Sequence, residues 1–237
     1  MSLVGFCGSR SLPASATPLV TGVVSSVLSS RRSVAVGCCV GADACVVRAV
    51  LAAGAAPSLC VFAEFGPVSP PCGTAPRVEA PGASRSISWP SGGGAALRAG
   101  ASVRWWSGGP PAVPLAGRLA SRSAALVSAV ASSGSEAGAG LVGFVSSACP
   151  PALIPSPSPA RCFSGQGPGS GSWGSLALAT GLGLPVVVFP FSPSGCGRGP
   201  QLPSFWGGSW VPVERPSSWV GGFRFVPDLP PQGALFS

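Results

Sequence analysis

The residues from Ser33 to Gly54 constrain the fold of this 237-residue chain more than any other stretch. They read SVAVGCCVGADACVVRAVLAAG. Val34 to Val36 is an apolar run too short for a helix, which indicates a buried strand. Gly37 to Gly41 lets the backbone turn tightly, and the apolar residues from Val46 to Leu51 then recur at helical spacing. A buried strand that leads through a tight turn into a helix is typical of α/β folds.

Asp43 stands where this helix is expected to begin. As an N-cap, its carboxylate would accept hydrogen bonds from the free amides of the first turn. The end of a parallel strand beside a helix start is also where α/β folds bind anions, because free amides and the helix dipole point there. The sequence leaves both roles open for Asp43.

Two other segments repeat the pattern of a buried strand, small residues and a helix. Leu3 to Cys7 predicts a strand that runs into Gly8, Ser9 and Arg10, whose amides and guanidinium suit a phosphate. The glycine- and serine-rich residues 169–175 precede a predicted helix and a further buried strand. If the sheet is parallel, the three turns build one concave anion site. A solvated Arg10 and a plain linker at 169–175 are the alternatives.

Arg118 and Arg122 lie four residues apart in a helix predicted for Leu115 to Val130. They share one helical face, where two like charges destabilise an isolated helix. A nearby anion or acidic partner would offset that repulsion. An ordinary solvated face is the alternative interpretation.

Glu64 follows a predicted strand, about two dozen residues past the glycine turn, where a dinucleotide fold places an acid for a ribose hydroxyl. Gly37 and Gly41 do not form a G-x-G-x-x-G pattern, so the sequence does not favour an NAD site. Trp105 and Trp173 are candidates for stacking on a base, with core packing as the alternative.

The chain has no Lys, His, Tyr or Asn, and all fourteen of its basic residues are Arg. The net charge of +8 with six acidic residues favours polyanionic partners. Nine Cys without a CxxC pair and without His indicate neither a metal site nor a full disulfide set, but buried thiols in a reducing compartment. A general base is restricted to the few carboxylates or a Cys.

The order of the apolar segments predicts a three-layer α/β domain, Rossmann-like, with a mainly parallel sheet over residues 1–192. Residues 193–237 are rich in Gly, Pro and Trp, and we expect an irregular tail that packs on the domain, with a hairpin over Trp219 to Val226. No long apolar run and no signal peptide are evident, so we expect a cytoplasmic protein without membrane segments.

Four motifs occur in order: VGFCGSR, VGCCVGADACVV, RLASRSAALV and GSGSWGSLALATGLGLPVVVFP. This set resembles the SLOG superfamily of Rossmann-like domains, nearest the DNA-processing protein A (Smf) family, over most of residues 3–190. The resemblance implies binding of a nucleotide derivative or single-stranded DNA at the C-terminal edge of the sheet. With the residues above, the expected ligand contacts are Gly8, Ser9, Arg10, Gly41, Ala42, Asp43, Arg118, Arg122, Gly171, Ser172, Gly174 and Ser175, with Glu64 for a ribose.

The same superfamily contains Lonely Guy type phosphoribohydrolases, whose loop PGGxGTxxE ends in a catalytic glutamate. The matching run here, SGSWGSLAL, has Leu178 in that place, so the resemblance does not imply hydrolysis by that mechanism. We therefore expect binding without catalysis, cofactor or metal, in DNA processing or mobile-element biology. A nucleotide-hydrolysing or nucleotide-sensing enzyme that uses Asp43 or Glu64 is the alternative, and a structural protein without a ligand is a third. The sequence leaves open whether the chain forms a homo-oligomer.

Overall fold

The structure is a computed structural model that describes residues 2–63, 77–79, 93–105, 115–134, 138–163, 171–192 and 199–228. Within these residues, nine strands form one sheet. The strands are β1 (Leu3–Gly8), β2 (Ser33–Val36), β3 (Leu59–Ala63), β4 (Arg77–Glu79), β5 (Ser102–Trp105), β6 (Gly140–Val145), β7 (Val186–Pro190), β8 (Gly208–Pro212) and β9 (Phe223–Pro227). The helices are α1 (Thr17–Ser29), α2 (Ala42–Ala52), α3 (Gly93–Arg98), α4 (Leu115–Ser132), α5 (Pro159–Phe163) and α6 (Gly171–Gly181).

The strand order is β4-β5-β3-β2-β1-β6-β7-β9-β8, and the strands from β5 to β7 are parallel. β1 lies in the middle, with Val4 in register with Val34 of β2 and Gly140 of β6. From β1, the chain first adds β2, β3 and β5 on one side of the sheet, and then adds β6 and β7 on the other side of β1. In such a sheet the ligand crevice lies at the C-terminal ends of the strands where the order reverses, here β1 and β6.

Helices cover both faces of the sheet, so the three-layer α/β fold predicted from the sequence is confirmed. On one face, the apolar stripes of α1 and α2 pack with Phe6 and Phe144 in a single buried cluster. On the other face, α4, α5 and α6 form a second cluster that includes Leu126, Trp173 and Leu176. The stripes predicted from residue spacing face the sheet because a helix stabilises the fold only by burying its apolar side.

Residues 199–228 extend the sheet, although the sequence indicates an irregular tail. β9 pairs antiparallel with β7, and β8 pairs with β9. Trp206 anchors this addition: its Nε1 donates to the Leu153 carbonyl at 2.9 Å, and its ring packs edge-on against Trp173. Trp219 ends a short 3-10 turn and lies outside both strands, so the hairpin predicted for Trp219 to Val226 is wrong.

Among the described residues, no helix combines the length and the apolar character that crossing a lipid bilayer requires.

Candidate functional site

The first two glycine turns of the sequence contact each other through their backbones. The Ala42 amide donates to the Ser9 carbonyl at 3.1 Å. Gly41 has a φ of +77°, and a Cβ at this position would run into the carbonyl oxygens of Ser9 and Arg10. Gly41 and buried Ala42 are therefore packing positions that hold the two turns together, and neither lines the neighbouring cleft.

Ser9 ties the C-terminal end of β1 to that of β6. Its amide donates to the Phe144 carbonyl at 2.8 Å, and its hydroxyl accepts from the Ser146 amide at 3.0 Å. The Ser146 hydroxyl also donates to Ser9 Oγ at 2.7 Å. Ser146 was not among the residues predicted for the site, although its place directly after a predicted strand was a signal. The Ser9 hydroxyl thus has a structural function at the point where the strand order reverses.

A cleft of about 920 Å³ opens at this C-terminal edge, on the side covered by α4 and α6. Its volume lies in the range of pockets that bind small ligands and is large enough for a nucleotide. The apolar face of α4 supplies one wall through Leu115, Leu119 and Leu126. The expected contact residues that line the cleft are Gly8, Ser9, Arg10, Asp43, Arg122, Gly171, Ser172 and Ser175.

Arg122 projects from α4 into the floor of this cleft and is buried, with 7% of its surface exposed. Its Nη1 donates to two thiol sulfurs, Cys38 at 3.4 Å and Cys39 at 3.2 Å. Its Nη2 donates to Ser123 Oγ at 3.5 Å, and its Nε has no hydrogen-bond partner among the described residues. Sulfur is a weak acceptor, so the protein leaves this buried cation poorly satisfied.

Asp43 lies beside Arg122 but does not cap its helix, which corrects the expected role. The N-cap of α2 is Gly41, and Asp43 lies in the first helical turn. Its Oδ2 accepts the backbone N–H of Cys39 at 3.0 Å, so the carboxylate fastens the preceding turn instead. Asp43 is buried and lines the cleft.

Burial and charge compete at these two groups. Burial raises the pKa of Asp43 above its ordinary value, and the Arg122 guanidinium and the Cys39 amide lower it only in part. Burial acts to lower the pKa of Arg122, but Asp43 and the two thiols raise it, so that the net shift is upward. The cation is therefore permanent, and the carboxyl is the member of the pair that can gain a proton.

We predict that Asp43→Asn removes one component of the pH dependence of stability. The raised pKa means that folded Asp43 holds its proton at a pH where the unfolded chain has lost it. The free energy of unfolding therefore falls as the pH rises from about 3.8 to the raised pKa, and stays level above it. Asn keeps an acceptor for Cys39 but cannot titrate. Denaturant titrations of both proteins over this range test the prediction, and parallel stability curves would contradict it.

The third turn differs from its prediction, because residues 171–175 are themselves helical. α6 begins at Gly171, and Ser175 Oγ donates to the Gly171 carbonyl at 2.9 Å. Gly174 does not line the cleft, and a Cβ there would meet the Cys162 carbonyl and the Phe163 ring at 2.7 Å. Cleft contacts on this helix are therefore restricted to its first turn and Ser175. Runs of Gly and Ser carry no periodic apolar signal, so no helix was predicted for these residues.

Four other candidates from the sequence have different outcomes. Trp173 is fully buried, and its Nε1 donates to the Ser147 carbonyl at 2.9 Å, so it is a core residue and not a stacking platform. Arg118 is half-buried on α4 and does not line the cleft. Glu64 and the Trp105 side chain lie outside the described part of the chain.

Cysteines contribute to the site in a way that the sequence analysis did not predict. Cys38 and Cys39 accept from Arg122, and Cys7 and Cys39 line the cleft. Cys38 and Cys39 follow the end of β2 after Gly37, and that position was the available signal. Burial raises the pKa of the Cys7 and Cys39 thiols, so neither is a ready thiolate nucleophile. In the described residues, no three Cys, His, Asp or Glu side chains are grouped so as to hold a metal ion.

No protein-family model matches the chain, and no curated protein matches it in sequence. A solved structure of DNA processing protein A from Helicobacter pylori, described for its single-stranded DNA binding mode, aligns with a TM-score of 0.38 and 9% identity. The alignment covers 60% of this chain and 65% of that one. The assignment of the fold rests on the strand order and the helix layers of this chain.

Proposed function

We propose that the cleft binds single-stranded DNA or a nucleotide derivative and that the protein works by binding, without catalysis, in DNA processing. The observation that carries this proposal is Arg122, a buried guanidinium with poorly satisfied donors on the floor of a nucleotide-sized cleft. A buried cation of this kind is costly unless an anion completes its hydrogen bonds.

The surroundings of Arg122 support an anionic ligand. Arg10 is exposed on the rim of the same cleft, and the N-terminus of α6 opens into it beside Gly171 and Ser172. Free amides and the positive end of a helix dipole attract phosphate groups. The net charge of +8 favours a polyanion such as DNA over a neutral metabolite.

The proposal that the protein binds without catalysis rests on two described residues, Leu178 and Asp43. Leu178 stands at the position where the hydrolases of the resembling superfamily carry a glutamate. It belongs to α6 and is buried in the hydrophobic core. Asp43 is the carboxylate that lines the described cleft, and its Oδ2 is already engaged with Cys39.

An anisotropy titration with a short single-stranded oligonucleotide, at low and raised salt and with ATP, AMP and NAD as competitors, tests the proposal. We expect Arg10→Gln to lower the affinity by about threefold to tenfold and to reduce the slope of log K against log salt by about one. Arg122→Lys keeps the charge but loses the planar fork, and we expect it to weaken binding as well. Arg48→Gln, which alters an exposed arginine outside the cleft, is the matched control.

Binding of a nucleotide with no binding of the oligonucleotide would support a nucleotide derivative as the ligand and exclude single-stranded DNA. Binding of neither would overturn the proposal.

Nucleotide hydrolysis is the second candidate function, and Asp43 is the observation that favours it. A buried carboxyl with a raised pKa in a cleft is a feature of general acids and bases. Incubation of the protein with AMP and ATP, followed by chromatography of the products, tests this candidate. Product formation that Asp43→Asn abolishes would establish it.

A further inference from the structure

The two arginines of the cleft stand at different depths. Arg122 is 7% exposed on the floor, whereas Arg10 is exposed on the turn that follows β1. A strand that passes over the opening can bring any of its phosphodiesters to Arg10. Arg122 is within reach only of a group that enters the cleft, and the end of a ligand enters without bending the chain back on itself.

The free donors of Arg122 suit an oxyanion with several oxygens. Nη1 bonds to two sulfurs, Nη2 has one contact at the 3.5 Å limit, and Nε has no partner in the described structure. Guanidinium groups bind phosphate through two parallel N–H bonds, which are stronger than bonds to neutral acceptors. A phosphate with three terminal oxygens offers more such acceptors than a phosphodiester with two.

Asp43 adds a second selection, because it borders the same space as Arg122. A Cβ on Gly37 would touch Asp43 Oδ2 and lie 3.0 Å from Arg122 Nη2. The groups that interact with Asp43 are Arg122 from α4, Cys39 from its own turn and Cys7 from β1. A phosphodiester has no proton of its own, so it is repelled whenever Asp43 is ionised. A phosphomonoester, with a second pKa of about 6, can share a proton with Asp43 while its other oxygens accept from Arg122.

We propose that the floor of the cleft binds a terminal phosphate, at the end of a DNA strand or on a free nucleotide, and discriminates against internal phosphodiesters. This inference rests on the proposed function and specifies which part of the ligand reaches Arg122. Arg10 then contacts the first internal phosphates, and this contact does not depend on whether the end of the strand carries a phosphate.

The test compares single-stranded oligothymidylates of one length that carry a 5′-phosphate, a 3′-phosphate or only hydroxyl ends. A hydroxyl-ended oligonucleotide two residues longer controls for total charge, because a terminal phosphate carries nearly two negative charges and each internal phosphodiester carries one. For the wild-type protein, we expect one of the phosphorylated forms to bind at least about tenfold more tightly than either hydroxyl-ended form, as charge-assisted bonds are gained. We expect Arg122→Gln to erase this preference, and Arg10→Gln to weaken all forms by the same factor.

Gly37→Ala provides a second variant that keeps both charges and fills the space between them. If Arg122→Gln fails to fold by circular dichroism, loss of the preference in Gly37→Ala supports the inference and its retention overturns it. Equal affinity of the wild-type protein for all forms overturns the inference and leaves the proposed function standing. No binding of any oligonucleotide or nucleotide overturns both. Arg48→Gln must keep the preference, because its loss there would assign the effect to net charge.

Discussion

Arg122→Met is expected to lower the free energy of unfolding by about 3 kcal/mol at neutral pH. The substitution removes the permanent cation beside Asp43, while the buried carboxyl keeps its position and its bond to the Cys39 amide. Without Arg122, the pKa of Asp43 rises further, since the guanidinium is the charge that now lowers it. The variant should therefore lose most stability at high pH and recover part of it as the pH falls. Urea unfolding at several pH values measures both effects.

The double variant Arg122→Met with Asp43→Asn separates charge from packing. Asn cannot be ionised, so we expect it to recover more than half of the stability that Arg122→Met loses at neutral pH. Arg48→Met, on the exposed side of α2, should change stability by no more than about 0.5 kcal/mol. Equal losses for the single and double variants would show that the carboxylate of Asp43 is not coupled to Arg122.

Gly41→Ala is expected to lower the free energy of unfolding by about 3 to 4 kcal/mol, which combines backbone strain with a steric clash. At φ +77° and ψ −123°, Gly41 occupies a backbone region that residues with a Cβ rarely adopt. The added methyl would also meet the carbonyl oxygens of Ser9 and Arg10, which are backbone atoms and cannot rotate aside. Thermal and denaturant unfolding of the purified variant measure the loss.

Gly54→Ala is the control for a positive φ without a steric clash. Gly54 also has a positive φ, +65°, but a Cβ there would meet nothing within 4 Å. We expect it to cost only about 1 kcal/mol, the usual penalty for placing Ala in this conformation. If both substitutions cost the same, the contact between the two turns contributes nothing to stability and the packing argument fails.

Much of the fold could be predicted because its helices and strands are encoded locally. The valines of α1 and α2 recur at helical spacing, which indicates helices with one buried face. Short apolar runs indicate strands buried on both faces, and such runs form β1, β2, β6 and β7. The two C-terminal strands could not be predicted in the same way. β8 and β9 are held by pairing with β7 and by contacts such as the Trp206 bond to Leu153, which join distant parts of the chain.

The position of the cleft could be predicted from the sequence, but the side chains that surround Arg122 could not. The glycine turns converge because the ends of parallel strands share an edge, and that follows from the order of strands and helices. The burial of Arg122 depends on Cys38 and Cys39, which lie more than eighty residues earlier in the chain. No local pattern distinguishes it from Arg118, one helical turn away, which does not line the cleft.

The central position of β1 has a consequence for the synthesis of the protein. Of the described strands β1 is made before the others, and β2 can pair with one of its edges as soon as residues 33–36 leave the ribosome. Its other edge has to wait for β6, at residues 140–145. During that interval the nascent chain exposes an apolar strand with unpaired amides and carbonyls, which is the kind of surface that chaperones cover and that aggregates form on. Neither half of the chain can form the cleft by itself, because its lining joins residues from β1, the turn after β2, α4 and α6.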